Sequence, residues 1–151
     1  MRKHFLISTV VIFACACAPE HRVPQAGAIR DSLNAVAGAR ADVAITQLAP
    51  GDWTELFVFG PYSSSEVVAR CVGSRVDDAG IALRDDIDLL IFRFADGSTV
   101  TRAVPHGSAS FEAGAYSRDA TFRVVRSPLG PSTSLVPAAG LTKRCGSRAI
   151  Q

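Results

Sequence analysis

The 151-residue sequence lacks any apolar run long enough to cross a bilayer. Its longest, Phe5 to Ala14, is about half the ~20 residues a spanning helix needs, which excludes a bundle of such helices. It also lacks an excess of charge of one sign, with 16 Lys+Arg against 14 Asp+Glu. Two of the basic residues, Arg2 and Lys3, precede the apolar run, so removal of residues 1–16 leaves 14 basic against 14 acidic side chains. A chain of that balance has no concentrated positive field with which to release counterions from phosphates, so a nucleic-acid partner is not expected. Histidine is scarce, and only His21 and His106 follow the leader.

The catalytic motifs are missing too. No Ser sits between spaced glycines as a nucleophile elbow, no phosphate loop ends in Gly-Lys-Ser/Thr, and no two histidines stand at helical spacing. His106-Gly107-Ser108 sets a base beside a nucleophile in sequence, but adjacency alone does not give the geometry of proton transfer, and the segment reads as a loop. Asp77, Asp78, Asp85, Asp86 and Asp88 lack the alternating spacing and closing Glu of a calcium loop, and read as solvated strand-edge carboxylates. Cys71 and Cys145 have no nearby histidine with which to form a zinc site. No metal and no cofactor is expected, and no catalytic residue is assigned.

What is present begins with a leader. Arg2, Lys3 and His4 form a basic start, Phe5 to Ala14 a short apolar core, and small residues follow. Ile12-Phe13-Ala14-Cys15-Ala16-Cys17-Ala18-Pro19 resembles the lipobox of bacterial lipoproteins, in which a small residue precedes a cysteine that carries diacylglycerol. Cys17, preceded by Ala14 and Ala16, is the favoured lipidation site, and Cys15 is the alternative. Choosing Cys17 leaves Cys71 and Cys145 as an even pair for an oxidising compartment. The resemblance implies export and a lipid anchor facing the periplasm, and Ala18 after the cysteine suggests the outer membrane. An ordinary secretory signal, giving a soluble periplasmic or secreted product, is the alternative.

The rest divides into a tether at 17–24, a globular domain at 25–126 and a Pro/Gly/Ser-rich tail at 127–151. Ile29, Leu33 and Val36 recur at helical spacing, predicting a helix over 25–37. Residues 42–48 read as a short strand, and 49–52 as a turn. Leu56 to Phe59 is apolar on both alternations, as a strand covered on two sides would be. Ser63 and Glu66 fit a capping box before a helix over 64–72, whose inward face carries Cys71. Asp96-Gly97 predicts a two-residue hairpin between 87–95 and 98–104, pairing residues whose numbers sum to 193. That register sets Arg93 and Arg102 diagonally on one face. A further strand is expected over 120–126, and then an irregular tail pinned by a disulfide from Cys145 to Cys71, two free thiols being the alternative.

Trp53-Thr54-Glu55-Leu56-Phe57-Val58-Phe59-Gly60-Pro61-Tyr62, with the later Asp-Ile-Asp-Leu-Leu-Ile-Phe run and the Asp96-Gly97 hairpin, resembles a pattern of small uncharacterised exported proteins and lipoproteins of bacteria. The resemblance covers about residues 42–126 and implies an exported α+β domain, but no reaction and no disulfide. The expected fold is α+β, an antiparallel sheet of about four strands packed on one face by one or two helices. Binding candidates are Trp53 and Tyr62, at the ends of an aromatic strand, and Arg93, Arg102 and Arg123 as planar donors. The expected function is a non-catalytic, lipid-anchored envelope module that binds a protein partner. A periplasmic small-molecule or glycan binder is the alternative, and a secreted hydrolase the third.

Overall fold

The computed structural model describes residues 21–77, 84–128 and 132–145. The chain runs through α1 (Ala26–Val36), β1 (Val43–Ala44), α2 (Ile45–Leu48), β2 (Glu55–Phe59), α3 (Ser65–Val72), β3 (Ile87–Arg93), β4 (Thr99–Pro105), β5 (Ala109–Phe111), β6 (Gly114–Arg126) and β7 (Thr133–Lys143). The fold is α+β, with a mixed, mostly antiparallel sheet in the order β4-β3-β2-β6-β7-β5. β1 pairs with the far end of β6, and only β5 and β7 run parallel. The sheet therefore has seven strands where about four were expected. No helix among the described residues is long and apolar enough to cross a membrane.

Both faces of the sheet are covered, because β2 and β3 are apolar on both alternations. Leu56, Val58, Leu90 and Phe92 enter one core with Ile29 and Leu33 of α1 and Ile45 and Leu48 of α2. Phe57, Phe59, Leu89 and Ile91 enter a second core with Val68, Cys71 and Val72 of α3. The expectation that the helices share one face is corrected, since α1 and α3 lie on opposite sides. Ile45 and Leu48 explain why 42–48 is not one strand: a strand would send them to opposite faces, whereas one helical turn brings both into the same core.

α3 starts at Ser64, whose hydroxyl accepts the Val67 amide at 3.3 Å, while the Ser63 hydroxyl donates to the Gly60 carbonyl at 2.8 Å. The capping residue is thus one position later than the Ser63–Glu66 pattern implied. Gly73, at φ +81°, ends the helix.

The β3–β4 hairpin is also shifted by one. Its partners sum to 192, as in Leu90 with Arg102 and Arg93 with Thr99. The turn holds three residues, closed by Gly97 N–H to the Phe94 carbonyl and Phe94 N–H to the Ser98 carbonyl, with Gly97 at φ +82°. This is the turn in which a left-handed glycine follows a type I bend. A slip of one residue exchanges faces, so Arg93 and Arg102 lie on opposite sides of the sheet.

The largest departure is the C-terminal segment. Residues 133–143, expected within an irregular tail, form β7 and pair along β6. Pro137 lies beyond the stretch paired with β5, where no ladder N–H is needed on the outer side. Between Tyr116 and Thr121 the β6–β7 register jumps. That irregularity bends β6, so its first part pairs with β2 and its last part with β1.

Candidate functional site

The five candidate side chains meet different fates. Trp53 is fully buried and its indole N–H donates to the Ala49 carbonyl at 2.9 Å, so it belongs to the core. Arg93 donates to Glu55 at 2.9 Å and to the Val72 carbonyl at the end of α3, and lies over the Phe57 ring at 4.5 Å. Its guanidinium fastens α3 to the sheet and has little left for a ligand. Arg102 donates to the Pro24 carbonyl at 3.1 Å and to the Thr101 carbonyl at 2.9 Å. Arg123 is exposed and stands 3.8 Å from Asp42, a surface pair of small energetic weight. Tyr62 alone of the aromatic stretch faces solvent, at 68% exposure.

Arg102 is one of several groups that hold the segment expected as tether. Arg22 N–H donates to Asp52 at 3.1 Å, and His21 stacks on Phe94 with ring centroids 3.8 Å apart. The Arg22 carbonyl passes so near Gly51 that a Cβ there would lie 2.3 Å from it. Residues 21–24 are therefore seated at the end of the sheet where β3 finishes.

That end also gathers a Ser-His-Asp trio which sequence distance concealed. His21 Nε2 lies 2.6 Å from the Ser98 hydroxyl and 3.3 Å from Asp96, and Ser98 also donates to Asp96 at 2.6 Å. In a nucleophilic triad the acid orients the imidazole through the nitrogen opposite the one facing the serine. Here both partners meet the same nitrogen, so the trio works as a latch between the N-terminal segment and the hairpin turn. The Ser98 hydroxyl and amide hold the Asp96 carboxyl below the usual range.

Tyr62 stands at the other end of β3, in the turn after Gly60-Pro61. Its φ of +62° is the one left-handed backbone at a non-glycine among the described residues. For a bulky side chain that conformation is a genuine outlier. Partial desolvation and the neighbouring Asp85 carboxylate raise the phenol above its ordinary pKa. Arg84 clamps Asp86 at 2.8 Å, and His106 donates its amide to the Asp86 carbonyl at 2.9 Å. The His106 imidazole meets Asp88 at 3.1 Å, and Asp88 is 5% exposed, its carboxyl pushed up by burial against the pull of His106.

His106 and Ser108 serve separate partners, since the Ser108 hydroxyl donates to Asn34 at 2.8 Å. Among the described residues no three His, Cys, Asp or Glu side chains converge on a metal-sized site. Asp78 and the lipobox-like segment with Cys15 and Cys17 lie outside the described residues. Cys71 and Cys145 stand at disulfide distance, with Cα atoms 5.7 Å apart. No protein-family model, no curated protein and no solved structure matches this chain.

Proposed function

We propose that the chain is a lipid-anchored, exported envelope module that binds a protein partner through the pole carrying Tyr62. The observation that carries this reading is a bulky aromatic side chain held out into solvent on a backbone conformation that disfavours it. Such local strain concentrates at binding and switch sites, where the surrounding structure holds it in place. Tyrosine suits the role because it offers a rigid, amphipathic contact surface with few torsions to freeze.

On this reading the anchor joins the domain at the end opposite the Tyr62 pole. Three residues, 18–20, separate Cys17 from His21, so a lipidated Cys17 leaves the seated segment within about 14 Å of the anchor. β3, seven residues long, then carries the chain about 23 Å from the Tyr62 end to the His21 end. The latch end faces the bilayer, and Tyr62 with Asp85 and Asp86 faces away from it. Cys71 and Cys145 form a disulfide in the oxidising compartment. The small-molecule or glycan-binding alternative drew on the aromatic stretch, of which Trp53, Phe57 and Phe59 are buried, so the exposed Tyr62 pole favours the protein partner.

A photo-crosslinking side chain at position 62, in intact cells, captures a defined protein partner on this reading, while one at Arg123 does not. Equal capture at both positions, or none at 62, overturns it.

A further inference from the structure

On the flank of the molecule, an open cleft of about 100 Å³ lies between α3 and the end of β7. Val67, Arg70, Cys71, Lys143, Arg144 and Cys145 line it. Three of the six are cationic and none is acidic. We propose that this cleft binds one phosphate-type oxyanion, a role independent of the Tyr62 pole.

The donors are arranged for it. Lys143 Nζ lies 3.2 Å from the Arg70 carbonyl and 3.4 Å from the Cys71 carbonyl, which fixes the ammonium in the last turn of α3 with a third N–H to spare. Arg144 uses one N–H on Glu112 at 3.0 Å and keeps the rest of its fork. Arg70 projects from α3, and Glu66, on whose carboxyl it acts electrostatically, lies one helical turn back and outside the lining. The volume matches about three waters, the scale of a single tetrahedral anion. A phosphate seated there exchanges hydration for charge-assisted bonds from two guanidinium planes and one ammonium. Cys145, buried against Cys71, fixes the backbone that carries Lys143 and Arg144, so the cysteine pair preorganises the site.

The free anion and a phospholipid headgroup offer the same chemistry, and the test separates them. The full chain carrying Cys15→Ser and Cys17→Ser, which removes any acyl anchor, is titrated with inorganic phosphate and with phosphatidylglycerol vesicles while amide shifts are followed. Saturable shifts confined to residues 70–72 and 143–145 support the site. Response to phosphate assigns a soluble ligand, and response to vesicles alone assigns a headgroup. Arg70→Gln with Arg144→Gln weakens binding at least tenfold, and reduction of the cysteine pair weakens it likewise. Both arginines are exposed, so the double variant stays informative if reduction unfolds the chain. Absence of saturable shifts in both titrations, or unchanged affinity in the double variant, overturns the proposal.

Discussion

Tyr62 and Asp88 carry opposite kinds of local cost. A left-handed backbone at a residue with a Cβ costs about 1 kcal/mol, and glycine relieves it. Tyr62→Gly is therefore expected to leave stability unchanged or raise it by up to about 1 kcal/mol, while partner capture in cells falls at least tenfold. Urea unfolding and co-purification of the captured partner measure the two effects separately, and loss of both together would mark Tyr62 as merely structural. Asp88 pays in desolvation. Burial raises its folded pKa above the unfolded value near 3.9, so the folded state holds the proton more tightly, and stability falls as pH rises through the interval between them. Asp88→Asn removes that slope. Measured by urea unfolding from pH 3 to 6, the variant should gain stability relative to the parent as pH rises. A constant difference would show that Asp88 does not titrate differently in the fold. Asp86 and Asp96 act in the opposite sense: their depressed values add stability above the unfolded pKa that is lost as pH falls through the folded one.

At the scale of elements, legibility followed the strength of the local pattern. Ile29, Leu33 and Val36 announce α1, and Leu56 to Phe59 announce a strand covered on both sides, because each periodicity is imposed by a core within a few residues. β7 announced nothing, since Pro137 and Gly140 read as breakers when their neighbours are unknown. Gly140 has φ +76°, and a Cβ there would sit 2.4 Å from Ala120 Cα, so a glycine that looks like a loop marker is the residue that lets two strands touch at a bend. The hairpin turn was legible and its register was not, because Asp-Gly serves both two-residue and three-residue turns and the choice rests on Phe94 closing the longer one. Of the candidate site, Tyr62 was legible by its place at a strand end, whereas the His21–Ser98–Asp96 latch joins residues 77 apart and leaves no local trace. Gly140→Ala tests the bend. With both strain and a backbone clash to relieve, it should cost more than the ~1 kcal/mol of left-handed strain alone, read as a lower urea midpoint. An unaffected midpoint would mean that β6 and β7 separate there without penalty.

For the whole molecule, the deciding question is what holds the two cores to one sheet. The core around α1 and α2 closes on large side chains such as Trp53, Tyr116 and Phe122. The core under α3 is smaller, and α3 itself is eight residues, too short to persist without tertiary support. Its fastenings are Arg93, which joins Glu55 to the Val72 carbonyl, Lys143 on the Arg70 and Cys71 carbonyls, and the proposed disulfide between Cys71 and Cys145, which stand at bonding distance 74 residues apart in sequence. Closing a loop of that length restricts the unfolded chain by about 4 kcal/mol in the chain-entropy description. Reduction should therefore lower the unfolding free energy by roughly 4 kcal/mol, and the loss should not be uniform. Amides of α3 and of residues 141–143 should lose hydrogen-exchange protection first, while β2 and β3, covered on both faces, should keep theirs until global unfolding. Equal loss across the sheet would mean that the two cores are one cooperative unit, and that the cysteine pair acts on the unfolded chain alone.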